Sequence, residues 1–118
     1  MARVLVVDDN VDSADMIAEA LTALGHSTRA VYDGPSALAA AGELAPEVAL
    51  VDLGLPGMSG LELAGRLRDA VAAVRLIAVT GRSGDHDRAA SHAAGFDAHL
   101  VKPVRLADLA ARIADLAP

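Results

Sequence analysis

Short apolar runs alternate with amphipathic stretches along the whole chain. Val4 to Val7, Thr28 to Val31, Val48 to Val51, Leu76 to Val79 and Ala98 to Val101 are four-residue runs. Several are β-branched and unbroken by charge, as strands covered on both faces should be. Between them, Asp12 to Leu24, Pro35 to Leu44, Gly60 to Ala70, Asp85 to Ala94 and Arg105 to Leu116 carry apolar residues at helical spacing. Met16, Ile17, Ala20, Leu21 and Leu24 form one such stripe. Gly25 and Gly95 follow the first and fourth helical stretches where a left-handed C-cap is expected, and Pro35 falls in the opening turn of the second. The predicted order is (βα)₅. Strict alternation implies right-handed crossovers and a parallel sheet with helices on both faces, a doubly wound α/β fold of flavodoxin-like type. The expected strand order is 2-1-3-4-5, which puts the switch point between the first and third strands, where ligands bind beyond the carboxyl ends.

Composition narrows what such a sheet could serve. With 118 residues, 53% of them hydrophobic, the chain is expected to form one domain spanning residues 1–118, so that any output works through a partner. There is no internal repeat, low-complexity tract or linker. No apolar run approaches the roughly 18 residues of a membrane span, and the run after Met1-Ala2-Arg3 is too short for a signal-peptide core. A cytoplasmic location is expected, and the lack of cysteine agrees with it. A net charge of −6 argues against direct contact with nucleic acid or anionic lipid. A monomer is the default expectation, with a weak dimer as the alternative.

The candidate chemistry lies at the ends of the runs. Asp8 and Asp9 end the first, Asp52 ends the third, Thr80 closes the fourth, and Lys102, the only lysine beside nine arginines, follows the fifth. On the predicted sheet these groups meet at one edge. Three crowded carboxylates raise one another's pKa unless a cation compensates. Two or three carboxylates with room for water suit Mg²⁺ better than an all-protein Ca²⁺ cage. The ion would also neutralise an incoming phosphate, leaving one carboxylate to attack phosphorus and form an aspartyl phosphate. Lys102 would be the counter-charge for the phosphoryl oxygens and Thr80 a hydroxyl donor to them.

Taken singly, each residue has a plainer reading. An aspartate at a strand end is ordinarily a turn former, and a lone threonine there carries little. Asp8-Asp9 could cap the first helix, although Asp12 and Ser13 look better placed. His26, His86 and His92 read as solvated surface residues. Lys102 is the hardest to dismiss, because one lysine among arginines implies a compact charge. The combination at one edge decides for the site.

In these residues the chain resembles, over its whole length, the receiver domains of bacterial two-component response regulators. The likeness rests on Asp8-Asp9, on Asp52 within Val51-Asp52-Leu53-Gly54-Leu55-Pro56-Gly57-Met58-Ser59-Gly60, on Thr80 and on Lys102-Pro103. The resemblance implies that Asp52 is the phosphoacceptor and that Asp9, Asp52 and the Gly54 carbonyl ligate Mg²⁺, with Asp8 helping through water. It implies that Lys102 and Thr80 bind the phosphoryl oxygens and that the Lys102-Pro103 bond is cis. His99 stands where the family has an aromatic switch residue, so activation linked to Thr80 is expected to be weaker or pH-sensitive. Gly54 offers no side chain to shield the phosphoryl group, and Arg82 is expected to set its lifetime. The alanines Ala89, Ala90, Ala93 and Ala94 would either give the fourth helix a shallow docking face or simply pack against the sheet, the plainer reading for those that turn inward. With Tyr32 and Phe96 as the only aromatics, partner binding should be transient.

The implied partners are a sensor histidine kinase or histidine phosphotransfer protein and an unknown downstream effector. The segments Val79-Thr80-Gly81 and His99 to Val104 look closer to receivers of hybrid sensor kinases than to those fused to DNA-binding domains. On this reading the chain is a signalling phosphoacceptor, not an enzyme with an external substrate. Two other classes compete. A dehalogenase-like phosphatase would need an aspartate where Gly54 stands and a cap for which there is no room. A phosphorylation-independent interaction domain would be favoured if acceptor, acidic pair or lysine were missing, and none is.

Overall fold

A computed structural model describes residues 1–81 and 95–117 of the chain. Five parallel strands form one sheet in the order β2-β1-β3-β4-β5. They are β1 (Arg3–Val7), β2 (Ser27–Val31), β3 (Val48–Asp52), β4 (Arg75–Thr80) and β5 (Ala98–Val101). The described helices are α1 (Val11–Ala23), α2 (Gly34–Leu44), α3 (Gly60–Ala70) and α4 (Leu106–Leu116). The expected helix over Asp85 to Ala94, with its four alanines, His86, His92 and Arg82, lies outside the described residues.

Burial explains why the apolar runs became strands. Every residue of β3 is buried, as is all of β1 after Arg3, so both faces of these central strands exclude water. One face carries Leu5, Val7, Ala49, Val51, Leu76 and Ala78 into a core with α2 and α3 residues such as Ala37, Ala41, Leu63 and Leu67. The other carries Val4, Val6, Val48, Leu50, Ile77 and Val79 into a second core with Ala14 and Leu21 of α1 and Leu109 and Ile113 of α4. Each fully buried Leu or Ile contributes roughly 1.5–3 kcal/mol of hydrophobic stabilisation.

The strands begin one residue earlier than the apolar runs at Arg3, Ser27 and Arg75, because the ladder is closed by backbone groups. Glu47 N–H donates to Arg3 O at 2.8 Å and Arg75 N–H to Glu47 O at 2.9 Å. The first helix is capped neither by the acidic pair nor by Asp12 or Ser13. Asn10 is the N-cap, and its side chain accepts the Ser13 N–H at 3.0 Å. Gly25 takes the expected left-handed conformation after α1 (φ 100°), and so does Gly95 (φ 95°). Ala45 closes α2 in the same region (φ 48°) with no glycine to assist. His26 is not merely solvated: it is half-buried, and its Nδ1 accepts the Ala2 N–H at 3.0 Å, capping the entry to β1.

Candidate functional site

The carboxyl ends of the strands converge as the pattern predicted. Register places Val7 beside Val51, Asp52 beside Val79, and Thr80 beside Val101. The residues that follow these positions therefore share one edge. Asp8 leaves β1 with its N–H donated to Val31 O of β2 at 3.1 Å. Lys102 leaves β5 with its N–H donated to Thr80 O at 2.7 Å. The Lys102-Pro103 peptide is cis, as expected.

From these anchors the side chains meet over the edge. Lys102 Nζ lies 3.0 Å from Asp8 Oδ2 and 3.1 Å from Asp52 Oδ2, so one ammonium reaches across the end of β4 to bridge β1 and β3. Each carboxylate has a second, backbone donor: Asn10 N–H to Asp8 Oδ1 at 2.9 Å, and Gly54 N–H to Asp52 Oδ1 at 2.8 Å. Asp8 and Asp52 are 3% and 7% exposed, whereas Asp9 is open to solvent. One carboxylate oxygen from each of Asp8, Asp9 and Asp52 lies within 4.8 Å of the others. Oxygens around an octahedral Mg²⁺ are about 3 Å apart when adjacent and about 4.2 Å when opposite, so this donor set fits such an ion.

Electrostatics separates the two buried carboxyls. Burial pushes Asp8 up, but the Asn10 N–H, the Lys102 ammonium and the hydrogen bond with Asp52 outweigh it and leave Asp8 below the usual carboxylate range. Burial also pushes Asp52 up. Asp8 adds to that effect, and the Gly54 N–H and Lys102 do not cancel it, so Asp52 ends above the usual range. The two behave as a carboxyl pair in which one holds a proton more readily. Burial pulls Lys102 down, yet its two carboxylate partners more than compensate and hold it above an ordinary lysine. The site is thus a charged lysine beside three acids, with charge left over for a cation.

The response regulator receiver domain profile matches residues 4–114. The chain belongs to this family. It is a phosphoacceptor domain of two-component signalling. Among relatives, this receiver domain is 36% identical over 111 residues to MtrA of Mycobacterium tuberculosis, a DNA-binding response regulator, covering 94% of the chain and 48% of MtrA. It therefore spans about half the length of such relatives, and the expected leaning toward hybrid-kinase receivers is not what this comparison shows. Among solved structures, a CheY-like receiver domain protein from Methanospirillum hungatei superposes with a TM-score of 0.90 at 30% identity, covering 98% of this chain and 92% of that one. A Burkholderia pseudomallei response regulator, with a phosphorylated aspartic acid, a calcium ion and citrate, superposes at 0.88 with 31% identity, covering 94% of this chain and 65% of that one.

Within the receiver domain, Asp8, Asp9, Asp52, Lys102 and Thr80 come to one edge, and Gly54 joins them through its backbone. Thr80 ends β4 half-buried, between the strands that supply Asp52 and Lys102. His99 pairs with Ala78 while Thr80 pairs with Val101, so strand parity puts His99 and Thr80 on the same face of the sheet. Arg82 lies outside the described residues. Sequence reasoning missed Asn10, which both caps α1 and donates to Asp8. An asparagine directly after the acidic pair and three residues before Ser13 was the available signal. It also missed Gly60, whose role is a close approach and leaves no mark in periodicity.

Proposed function

We propose that residues 1–118 act as one receiver domain that takes a phosphoryl group from a partner's phosphohistidine onto Asp52 and passes the signal to an effector protein. The observation that carries this reading is the Lys102 ammonium held by both Asp8 and Asp52 at the mouth of a three-carboxylate cluster. Asp8, Asp9, Asp52 and the Gly54 carbonyl would hold Mg²⁺, which when bound supplies positive charge against the phosphoryl oxygens. Asp52 is the nucleophile: one of its oxygens forms the new P–O bond as the P–N bond of the donor imidazole breaks. Gly54 N–H fixes the orientation of the carboxylate through Oδ1. Lys102, released from Asp52, follows the charge to the phosphoryl oxygens, and the Thr80 hydroxyl takes another. Thr80 and His99, on one face of the sheet, form the switch; Gly54 and Arg82 set how long the phosphoryl group survives.

Beside Lys102, a groove of about 380 Å³ lined by Ser13, Met16, Ile17, Pro103 and Val104 gives a phosphodonor protein an apolar surface next to the acceptor. No described helix is long and apolar enough to cross a membrane, and the net charge of −6 favours a module that meets proteins and not nucleic acid. The test is intact mass after incubation with acetyl phosphate, with and without Mg²⁺, alongside Asp52→Asn. A Mg²⁺-dependent gain of one phosphoryl group, absent in the variant, is expected. Phosphorylation that persists in Asp52→Asn refutes the assignment.

A further inference from the structure

The loop from Leu53 to Ser59 carries Gly54 and joins the acceptor strand to α3. Its near end is fixed: Leu53 N–H donates to Val79 O at 2.9 Å, and Leu55 is buried in the first core. Its far end has one apolar anchor, Met58, which packs against that same core. Met58 also reaches across to Gly34, the first residue of α2. A Cβ built on Gly34 would fall 2.9 Å from Met58 Sδ, 3.1 Å from its Cβ and 3.3 Å from its Cε. Gly34 is buried, and its backbone lies outside the left-handed region. Glycine is therefore required there by space, to seat the thioether, and not by conformation.

Between the two anchors the chain has little slack. Met58 N–H folds back to Pro56 O at 3.1 Å, and Gly57 sits at φ 82°. Pro56 and the buried Leu55 leave Gly54 no independent flexible tether. For Met58 to govern Gly54, a shift at Met58 must pass through Pro56 and Leu55, and the stiff Pro56 favours that.

We propose that Gly34 and Met58 form a latch that holds this loop against α2 and so sets the position of Gly54 beside Asp52. Met58 is a positioning residue for the site. The inference rests on the phosphoacceptor reading only for what Gly54 then does; the latch itself is a statement about the metal-free protein.

The experiment is a double-mutant cycle of wild type, Gly34→Ala, Met58→Ala and both together. Two quantities are read by NMR: the exchange rate of the Gly54 amide in metal-free protein, and Mg²⁺ affinity from titration with the metal alone. Gly34→Ala should lower the melting temperature by no more than a few degrees, since the thioether end can swing aside while Met58 Cβ, 3.1 Å from the new methyl, must give slightly. It should nevertheless speed Gly54 exchange and weaken Mg²⁺ by about two- to tenfold, the lower part of the range for directly coupled contacts. The double variant should be no worse than Met58→Ala, because the glycine acts through the methionine. Met58→Leu, which keeps the volume, should stay close to wild type. Gly42→Ala, also on α2 but with nothing near its Cβ, should change neither readout. Additive effects of the two substitutions, or an unmoved Gly54 exchange rate in Gly34→Ala, would overturn the latch. A wild type that fails to bind Mg²⁺ would instead overturn the phosphoacceptor reading, and the exchange measurements would still decide the latch.

Discussion

Substituting alanine at two glycines of the same helix should move stability in opposite directions. Gly60 opens α3, and a Cβ there would lie 2.8 Å from Leu53 Cα, 2.9 Å from Asp52 O and 2.9 Å from Leu53 Cδ2. Two of those three atoms are backbone, at the end of β3, and cannot rotate away. Relief requires α3 to lift or the Asp52–Leu53 peptide to shift. Overpacking of this kind costs about 1–3 kcal/mol, and the helix-propensity gain is small at a first-turn position. Gly65, five residues along, meets nothing within 4 Å. Alanine there removes only the entropic penalty of glycine in a helix, a gain of roughly 0.5–1 kcal/mol. For a domain of this size about 1 kcal/mol corresponds to roughly 4 °C. Thermal unfolding followed by circular dichroism in metal-free buffer should then show Gly60→Ala melting about 4–12 °C below wild type and Gly65→Ala about 2–4 °C above it. Equal shifts of the same sign would refute the reasoning, because they would mean that helix propensity alone and not the close approach to Asp52 decides both positions.

Other outcomes follow from the charged edge. In metal-free buffer Asp52→Asn should raise the melting temperature at about pH 7. The folded carboxyl titrates above its unfolded value, so native Asp52 withholds stability progressively as pH rises through about 3.9. The gain should fade below that pH, and a gain independent of pH would contradict the assignment. Lys102→Met should destabilise by on the order of 1–3 kcal/mol near neutrality, since two buried carboxylates lose their shared donor. Its denaturant midpoint should recover in acid as those carboxylates protonate. Asn10→Ala should lose about 1 kcal/mol of capping yet leave Mg²⁺ affinity unchanged in titration, because the N–H that serves Asp8 belongs to the backbone. Ile113→Ala should cost about 2–5 kcal/mol in chemical denaturation by opening a cavity between α4 and the sheet.

The sheet was legible because β1, β3 and β4 are covered on both faces, so burial demanded unbroken runs such as Val4 to Val7 and Val48 to Val51. The site was legible for a related reason. A parallel sheet sends every strand end to one edge, and the first polar residue after each run, Asp8, Asp52, Thr80 or Lys102, is delivered there by chain direction alone. What stayed hidden are distances between segments remote in sequence. Gly34 against Met58 and Gly60 against Leu53 are ordinary glycines until the backbones are placed side by side. The accepting role of His26 toward Ala2 is of the same type, since it depends on two chain segments meeting at the entry to β1. Ala45 defeated reasoning of another sort: the left-handed C-cap was sought at glycine, and here alanine tolerates it.

Charge balance ties the stability of this edge to its use. Asp8, Asp9 and Asp52 bring three negative charges when ionised, and Lys102 returns one. The remainder matches a divalent cation, and within the buried pair burial together with the neighbouring donors and charges leaves Asp52 raised and Asp8 lowered. The protein thus retains an arrangement that packing alone would not favour. The lysine side chain ties the β5 side of the edge to Asp8 after β1 and Asp52 of β3, at 3.0 and 3.1 Å. Any group placed on Asp52 must alter the second of those contacts. On the phosphoacceptor reading, chemistry at a single oxygen therefore changes what holds the end of β5, next to Thr80 and on the strand that carries His99. On that same reading, a site built for stability alone would have no reason to place this ion pair on the residue that reacts.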